Sequence, residues 1–286
     1  MNQNKEAQMR VRPDFAGETR RGRSRRTNED QFLIADFRHA MFAVETSLAF
    51  DEHEVVFSNS YAQLLIVADG IGGAREGDRA SRVATQTASR YLLHFMPWFQ
   101  ALHTDDVAST IEQILYDAIA NCQEAISDDV DRHPDHVGMG TSLTLVYLVW
   151  PKAYCVHVGN SAAFLLRDRK LFHLTREQTL AHELEKDGVL SHAEAGDSQW
   201  RRVLQHPIGG DSDVVEPKIC EISLAAGDRL LLVTDGLTRV LDDDKIAAAL
   251  SRKDPPTGIL RQLFRYAEME DADDDLTAVV ARFAAD

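Results

Sequence analysis

The sequence holds only three cysteines, Cys122, Cys155 and Cys220, in 286 residues. They are too few and too scattered for a disulfide framework or a zinc site, and an odd count suits a reducing compartment. Long apolar runs are missing as well. The longest, Leu64–Ala68 and the segment Leu143–Trp150, fall far short of the ~18 residues that a membrane-spanning helix requires. Met1–Pro13 is polar throughout and lacks the apolar stretch of a signal peptide. These absences together predict a soluble cytoplasmic protein. Positive charge is the third deficit: 31 Lys and Arg stand against 46 Asp and Glu, a formal net charge of −15. Such a balance argues against general nucleic-acid binding and against an anionic membrane surface, both of which would repel it. No internal repeat, low-complexity tract or mid-chain linker is visible.

The rest of the composition is that of a folded chain, with 44% hydrophobic and 27% charged residues. A core of this length can bury roughly 75% of the unfolded surface without a staple. Residues 1–13 read as a loose tail and residues 14–286 as one domain. Two buried strands are predicted at Gln31–Phe37 and Ala62–Ala68, joined by a long hairpin connection with a short strand at Val55–Phe57. Helices follow at Glu76–Phe95 and Asp105–Val130; in the second, Val107, Ile111, Ile114, Leu115, Ala118, Ile119, Cys122 and Ile126 recur at intervals of three and four. The period then shortens. Ser142–Trp150, Ala153–Val158 and Ala162–Arg167 read as an antiparallel meander punctuated by Pro151-Lys152 and Gly159-Asn160. A mixed, polar region read as helical covers Glu177–Gln205, and strands return at Val215–Ile222 and Arg229–Thr234. Helices at Asp242–Leu250 and Pro255–Glu268 precede a last strand, Leu276–Phe283. This order is not a βαβ alternation. It predicts an α+β fold, with mostly antiparallel sheets and helices on their outer faces.

Carboxylates sit at the ends of four of these strands. Asn28-Glu29-Asp30 precedes the first, and the second runs into Asp69-Gly70-Ile71-Gly72-Gly73. Arg229–Val233 ends in Thr234-Asp235-Gly236, and Asp273-Asp274-Asp275 precedes the last. Any one Asp-Gly is most simply a turn, and an acidic triplet alone is a solvated loop. Converging acids are different, because their mutual repulsion calls for hard dications such as Mg²⁺ or Mn²⁺. The glycines of 70–77 lack the Gly-Lys-Ser/Thr ending of a nucleotide-binding P-loop.

Six pieces in register give the pattern a family likeness. They are Arg25–Asp30, Val67–Gly73 with Gly77–Ser81, Gly138–Ser142, Val158–Ser161, Thr234–Gly236 and Asp274–Thr277. In this order they resemble the PPM, or type-2C, metal-dependent Ser/Thr protein phosphatases of bacteria. The resemblance implies a four-layer α-β-β-α sandwich and hydrolysis of phosphoserine or phosphothreonine in proteins by a water activated by two ions. It implies that Asp69 bridges two Mn²⁺ or Mg²⁺ ions, the Gly70 carbonyl binds one, and Asp235 and Asp275 complete the other. Glu29 and Asp30 would hold the ions' waters, and Arg25 would bind phosphate; Arg25, Asp30 and Asp69 are thus the implied catalytic residues. Phosphorylated proteins, substrates of a Ser/Thr kinase, are the implied partners.

Four departures stand out. Ile71 replaces a histidine found in one branch of the family, and Asp275-Leu276 stands for the usual Asp-Asn. Asn160 and Arg239 stand where many members carry aspartates that bind a third metal. The expectation is that the third site is absent, with Arg239 either supplying part of its charge or pointing to solvent. These departures leave open a catalytically silent relative that binds phosphoproteins or a regulator, and a dedicated regulator of a sigma-factor pathway. Residues 178–213 match the family's flap beside the active site and are expected to influence substrate choice. Two further features are set aside. The cluster Arg20, Arg21, Arg23, Arg25 and Arg26 offers a nucleic-acid reading but, given the net charge, is read as one phosphate ligand with acid-paired neighbours; His133-Pro134-Asp135-His136 could bind metal but is read as a polar loop before a strand.

Overall fold

In a computed structural model, residues 11–42, 55–71, 76–96, 105–210, 212 and 214–285 are described. Eleven strands among these residues form two antiparallel sheets. The first sheet has the order β1 (Val11–Arg20), β11 (Leu276–Ala285), β10 (Arg229–Val233), β6 (Ala162–Arg167), β7 (Lys170–His173). The second runs β2 (Asp30–Phe42), β3 (Val55–Ile71), β4 (Gly140–Val149), β5 (Lys152–Val158), β9 (Lys218–Ser223), with the short β8 (Ile208–Gly209) on β4.

The near-continuous apolar runs follow from burial on both strand faces. Alternate residues of a strand point to opposite sides. In β3, Leu64 and Ile66 face α1 (Glu76–Phe95) and α2 (Asp105–Arg132), while Leu65 and Val67 face the other sheet. In β10, Leu231 and Val233 face α6 (Asp243–Leu250) and α7 (Pro256–Met269), while Leu230 and Leu232 meet the second sheet. Ile111, Leu115, Ala118, Ile119, Cys122 and Ile126 of α2 are all buried in the helix-facing core, so the helical spacing in the sequence is the packing stripe. Three apolar layers thus separate four layers of secondary structure, the expected α-β-β-α sandwich.

Several boundaries differ from the sequence reading. The tail was ended at Pro13, yet β1 begins at Val11 and pairs along its length with β11. Pro13 and Gly17 hid it; both are tolerated because β1 is an edge strand. The described ends of the connection between the first two strands are sheet, since Ala40–Phe42 pair with Phe57–Val55; its middle, 43–54, lies outside the described residues. The β6–β7 hairpin turns on Asp168 and Arg169, with φ of 51° and 64°. That two-residue turn needs positive φ at both positions and was missed because no glycine marks it. The expected helical region 177–205 holds only α3 (Leu180–Lys186), α4 (His192–Asp197) and a 3₁₀ turn, Gln199–Arg202. Cys155 and Cys220, far apart in sequence, face each other across β5 and β9 as free thiols. Among the described residues no helix is long and apolar enough to cross a membrane.

Candidate active site

Antiparallel pairing places the start of β2, the end of β3 and the start of β4 at one end of the second sheet. Asp30 stands opposite Asp69, and Asp69 opposite Ser142. The end of β10 and the start of β11 adjoin likewise in the first sheet, where Val233 pairs with Ala278. Stacking the two sheets brings these ends together.

Backbone bonds fix the Asp69 loop. The Gly70 N–H donates to the Glu29 carbonyl at 3.2 Å. Ser81 Oγ on α1 donates to the same carbonyl at 2.6 Å, and Thr141 Oγ1 donates to the Asp69 carbonyl at 2.8 Å. Gly70 permits a close approach: a Cβ there would lie 2.0 Å from the Gly77 carbonyl oxygen. Thr234 ties the sheets, its Oγ1 donating to Asp30 Oδ2 at 2.7 Å while accepting from the Thr277 N–H at 3.1 Å. The next residue, Asp235, opens the single turn α5 (Asp235–Thr238).

The acidic triplet divides its work in a way the sequence did not reveal. Both Asp275 oxygens accept backbone N–H groups, from Gly22 and Glu29 at 2.8 Å each. Asp275, expected as a metal ligand, thus has both oxygens engaged by the backbone of the Arg25 loop. Asp274 is the residue whose carboxylate acts on Asp69 and Asp235. It accepts from Arg25 Nε at 2.8 Å and Nη2 at 2.5 Å, and from Arg239 Nη1 at 2.5 Å. Arg239 also donates through Nη2 to Asp235 Oδ2, which accepts from Asn160 Nδ2 as well. Arg239 thus does not point to solvent; it stands between Asp235 and Asp274.

Crowding shows in the proton affinities. Burial, then the charges of Asp235, Asp30 and Asp274, push Asp69 well above the usual carboxylate range. Burial pushes Asp30 up to about 7, with hydrogen bonds from Thr277 and Thr234 pulling the other way and Asp275 and Asp235 adding to the rise. Burial also raises Glu29 and Asp235, against the pull of Arg25 and Arg239 respectively. For Asp274 burial acts upward too, but the Arg25 and Arg239 contacts outweigh it and its carboxyl lies below the ordinary value. Buried Glu29 Oε1, Asp30 Oδ1 and Asn160 Oδ1 have no hydrogen-bond partner. Repelling carboxylates with unpartnered buried oxygens and an all-oxygen donor set fit a hard divalent cation.

A cleft of about 440 Å³ opens beside the cluster, lined by Arg25, Arg202, Arg239, Gly236 and Asp274 among others. Arg202 comes from the flap and carried no sequence signal. The flap is tied at both roots, where the Gln178 N–H donates to the Gly159 carbonyl at 2.7 Å and the Gly209 N–H to Gln123 Oε1 at 2.6 Å. Its last residue in the sequence reading, Asp213, lies outside the described residues.

Four layers with carboxylates at one end of paired sheets define a recognisable class of fold, and comparison with known proteins names its family. The model of the protein phosphatase 2C family matches residues 47–281, and the chain belongs to that family. The match begins after Arg25, Glu29 and Asp30. The chain is 32% identical over 220 residues to the serine/threonine protein phosphatase PstP of Mycobacterium tuberculosis, covering 77% of this chain but 40% of PstP. It is 32% identical over 199 residues to the serine/threonine phosphatase stp of Listeria monocytogenes, covering 69% of this chain and 76% of that protein. The PstP catalytic domain solved with two manganese ions superposes with a TM-score of 0.71 at 26% identity, over 96% of this chain and 99% of that one.

Proposed function

We propose that this protein is a Mg²⁺- or Mn²⁺-dependent phosphatase that hydrolyses phosphoserine and phosphothreonine in proteins, residues 14–286 forming one catalytic domain with the β1 residues that precede it. The observation that carries this reading is the crowding of Asp30, Asp69, Asp235 and Asp274 at one end of both sheets, with Asp69 and Asp30 held above their ordinary proton affinity. Asp69 and the Gly70 carbonyl would hold the ions with Asp235, and Asp274 would take the ligand role expected of Asp275. Glu29 and Asp30 orient water around them. Two dications at this cluster supply charge neutralisation on the phosphoryl oxygens and an ionised water for in-line attack. Arg25 holds the phosphoryl group, and Arg202 contacts the peptide that carries it. Arg239, already bonded to Asp235 and Asp274, stands in for a third ion beside Asn160.

Physiological substrates on this reading are proteins phosphorylated by a Ser/Thr kinase in the cytoplasm, without nucleic-acid or membrane partners. Hydrolysis of p-nitrophenyl phosphate in Mn²⁺ and in EDTA tests the activity. Turnover that requires the metal supports it. Phosphopeptide binding without metal-dependent turnover favours a silent binding module, a reading to which the Arg239 bridge across the acids lends its weight.

A further inference from the structure

The last turn of α2 and the 3₁₀ turn Pro134–His136 gather donors that the phosphatase reading does not use. Asp129 is 3% exposed. His136 Nδ1 lies 2.9 Å from Asp129 Oδ2, and His133 Nδ1 lies 3.6 Å from Oδ1 and 3.1 Å from the Asp129 carbonyl oxygen. Among the described residues, these are the three His, Cys, Asp or Glu side chains whose donor atoms all lie within 4.8 Å of one another. Metal–ligand bonds of about 2.0–2.1 Å in a tetrahedron put donors roughly 3.3 Å apart; the His136 separation from Oδ2 and the His133 separation from Oδ1 lie on either side of that value, so the two oxygens of one carboxylate face the two imidazoles. Two imidazoles and one carboxylate suit a borderline transition-metal dication and not Mg²⁺.

The surroundings favour a cation. Asp128, Asp131 and Asp135 flank the group in sequence, and a helix C-terminus carries partial negative charge. Arg132 is engaged by Asp128 at 2.9 Å. The opposing group is Arg79 of α1, whose Nη2 and Nε donate to Asp129 Oδ1 and Oδ2 at 2.7 and 3.1 Å. Each carboxylate oxygen has two lone pairs, so this fork leaves one on each for the histidine side. Arg79 fixes the carboxylate in place and, by its charge, limits the affinity for an ion there.

We propose that Asp129, His133 and His136 form a second metal site for a transition-metal dication, zinc being the ion that fits, chemically distinct from the all-oxygen catalytic cluster. Zinc takes the Asp129 carboxylate and the Nδ1 atoms of both histidines, each neutral ring carrying its proton on Nε2 once Nδ1 is bound, and the half-exposed side chain of His133 leaves a further position open to solvent.

Because the candidate catalytic ligands are all oxygens, nitrogen coordination separates the two sites. The full-length protein is saturated with Mg²⁺ and titrated with Cu²⁺ and Zn²⁺, reading nitrogen couplings by electron paramagnetic resonance and zinc by equilibrium dialysis. The wild type is expected to bind one equivalent of zinc more than His133→Ala/His136→Ala, with imidazole couplings that the double variant lacks. His133→Ala alone, at an exposed position, weakens zinc at least tenfold with unchanged circular dichroism, and Arg79→Gln tightens it severalfold by removing the rival charge. An equal zinc count in wild type and double variant, or nitrogen couplings that survive in the double variant, overturns the proposal.

Discussion

At the scale of single residues, the telling contrast is between neighbours. Asp274 reaches the acidic cluster, whereas Asp275 accepts two backbone N–H groups. Asp274→Asn should therefore weaken Mn²⁺ binding and lower turnover at least tenfold at fixed metal, with little loss of stability. Asp275→Asn turns an amide NH₂ toward a donor it cannot satisfy, costing about 1–3 kcal/mol, visible as a lower urea midpoint. Equal effects of the two on metal affinity would count against this division. The family resemblance implied a ligand in this segment, but three consecutive aspartates carry no mark of which one faces Asp69 and Asp235; the register of the preceding loop decides it. Arg239 raises a second question of the same kind. Its guanidinium occupies the space between Asp235 and Asp274, so Arg239→Ala should raise the number of Mn²⁺ ions bound at high concentration. Three ions at the cluster of the wild type in saturating Mn²⁺ would refute its role as their substitute.

Elements extend the argument to the sheet beneath the flap. His157 on β5 is 1% exposed. Its Nε2–H donates to the Arg176 carbonyl at 3.0 Å, and Nδ1 meets Thr144 Oγ1 at 2.9 Å. Burial lowers its pKa from 6.5 to about 4, against backbone hydrogen bonds that act upward. The folded state then resists protonation that the unfolded state accepts. Stability from this group is complete above about pH 6.5 and is lost as the pH falls toward 4, by on the order of 3 kcal/mol. Chemical denaturation across this window should show the loss in wild type and a flatter profile in His157→Gln; parallel profiles would rule the histidine out as its source. The helix α2 was legible in the sequence because its apolar spacing is its packing stripe, and β10 because its unbroken apolar run matches burial on both faces. β1 and the β6–β7 hairpin were not, since Pro13 and Gly17 suppress the strand signal and Asp168-Arg169 gives no turn signal.

On the scale of the whole molecule, the inter-sheet core holds both halves of the candidate site in register. Leu232, fully buried there, should cost roughly 2–5 kcal/mol when cut to alanine, and activity should fall at temperatures where the wild type is unaffected. A loss below about 1 kcal/mol would mean that the two sheets do not rely on this packing. Strands apolar on both faces announced burial on both sides, but which strand joins which sheet was not readable from them. The four-layer arrangement came from the resemblance carried by the six motifs, because long-range pairing such as β1 with β11 leaves no local trace.

The central claim is that aspartates from both sheets converge to hold the dications on which phosphoester hydrolysis depends. Its most direct test is the rate of phosphate release from a phosphothreonine peptide as Mn²⁺ is titrated into metal-free wild type and Asp69→Asn. The account predicts no turnover before metal, a saturable rise in the wild type and a loss of at least 10³-fold in the variant. Turnover in EDTA, or the same Mn²⁺ response in Asp69→Asn, would contradict it.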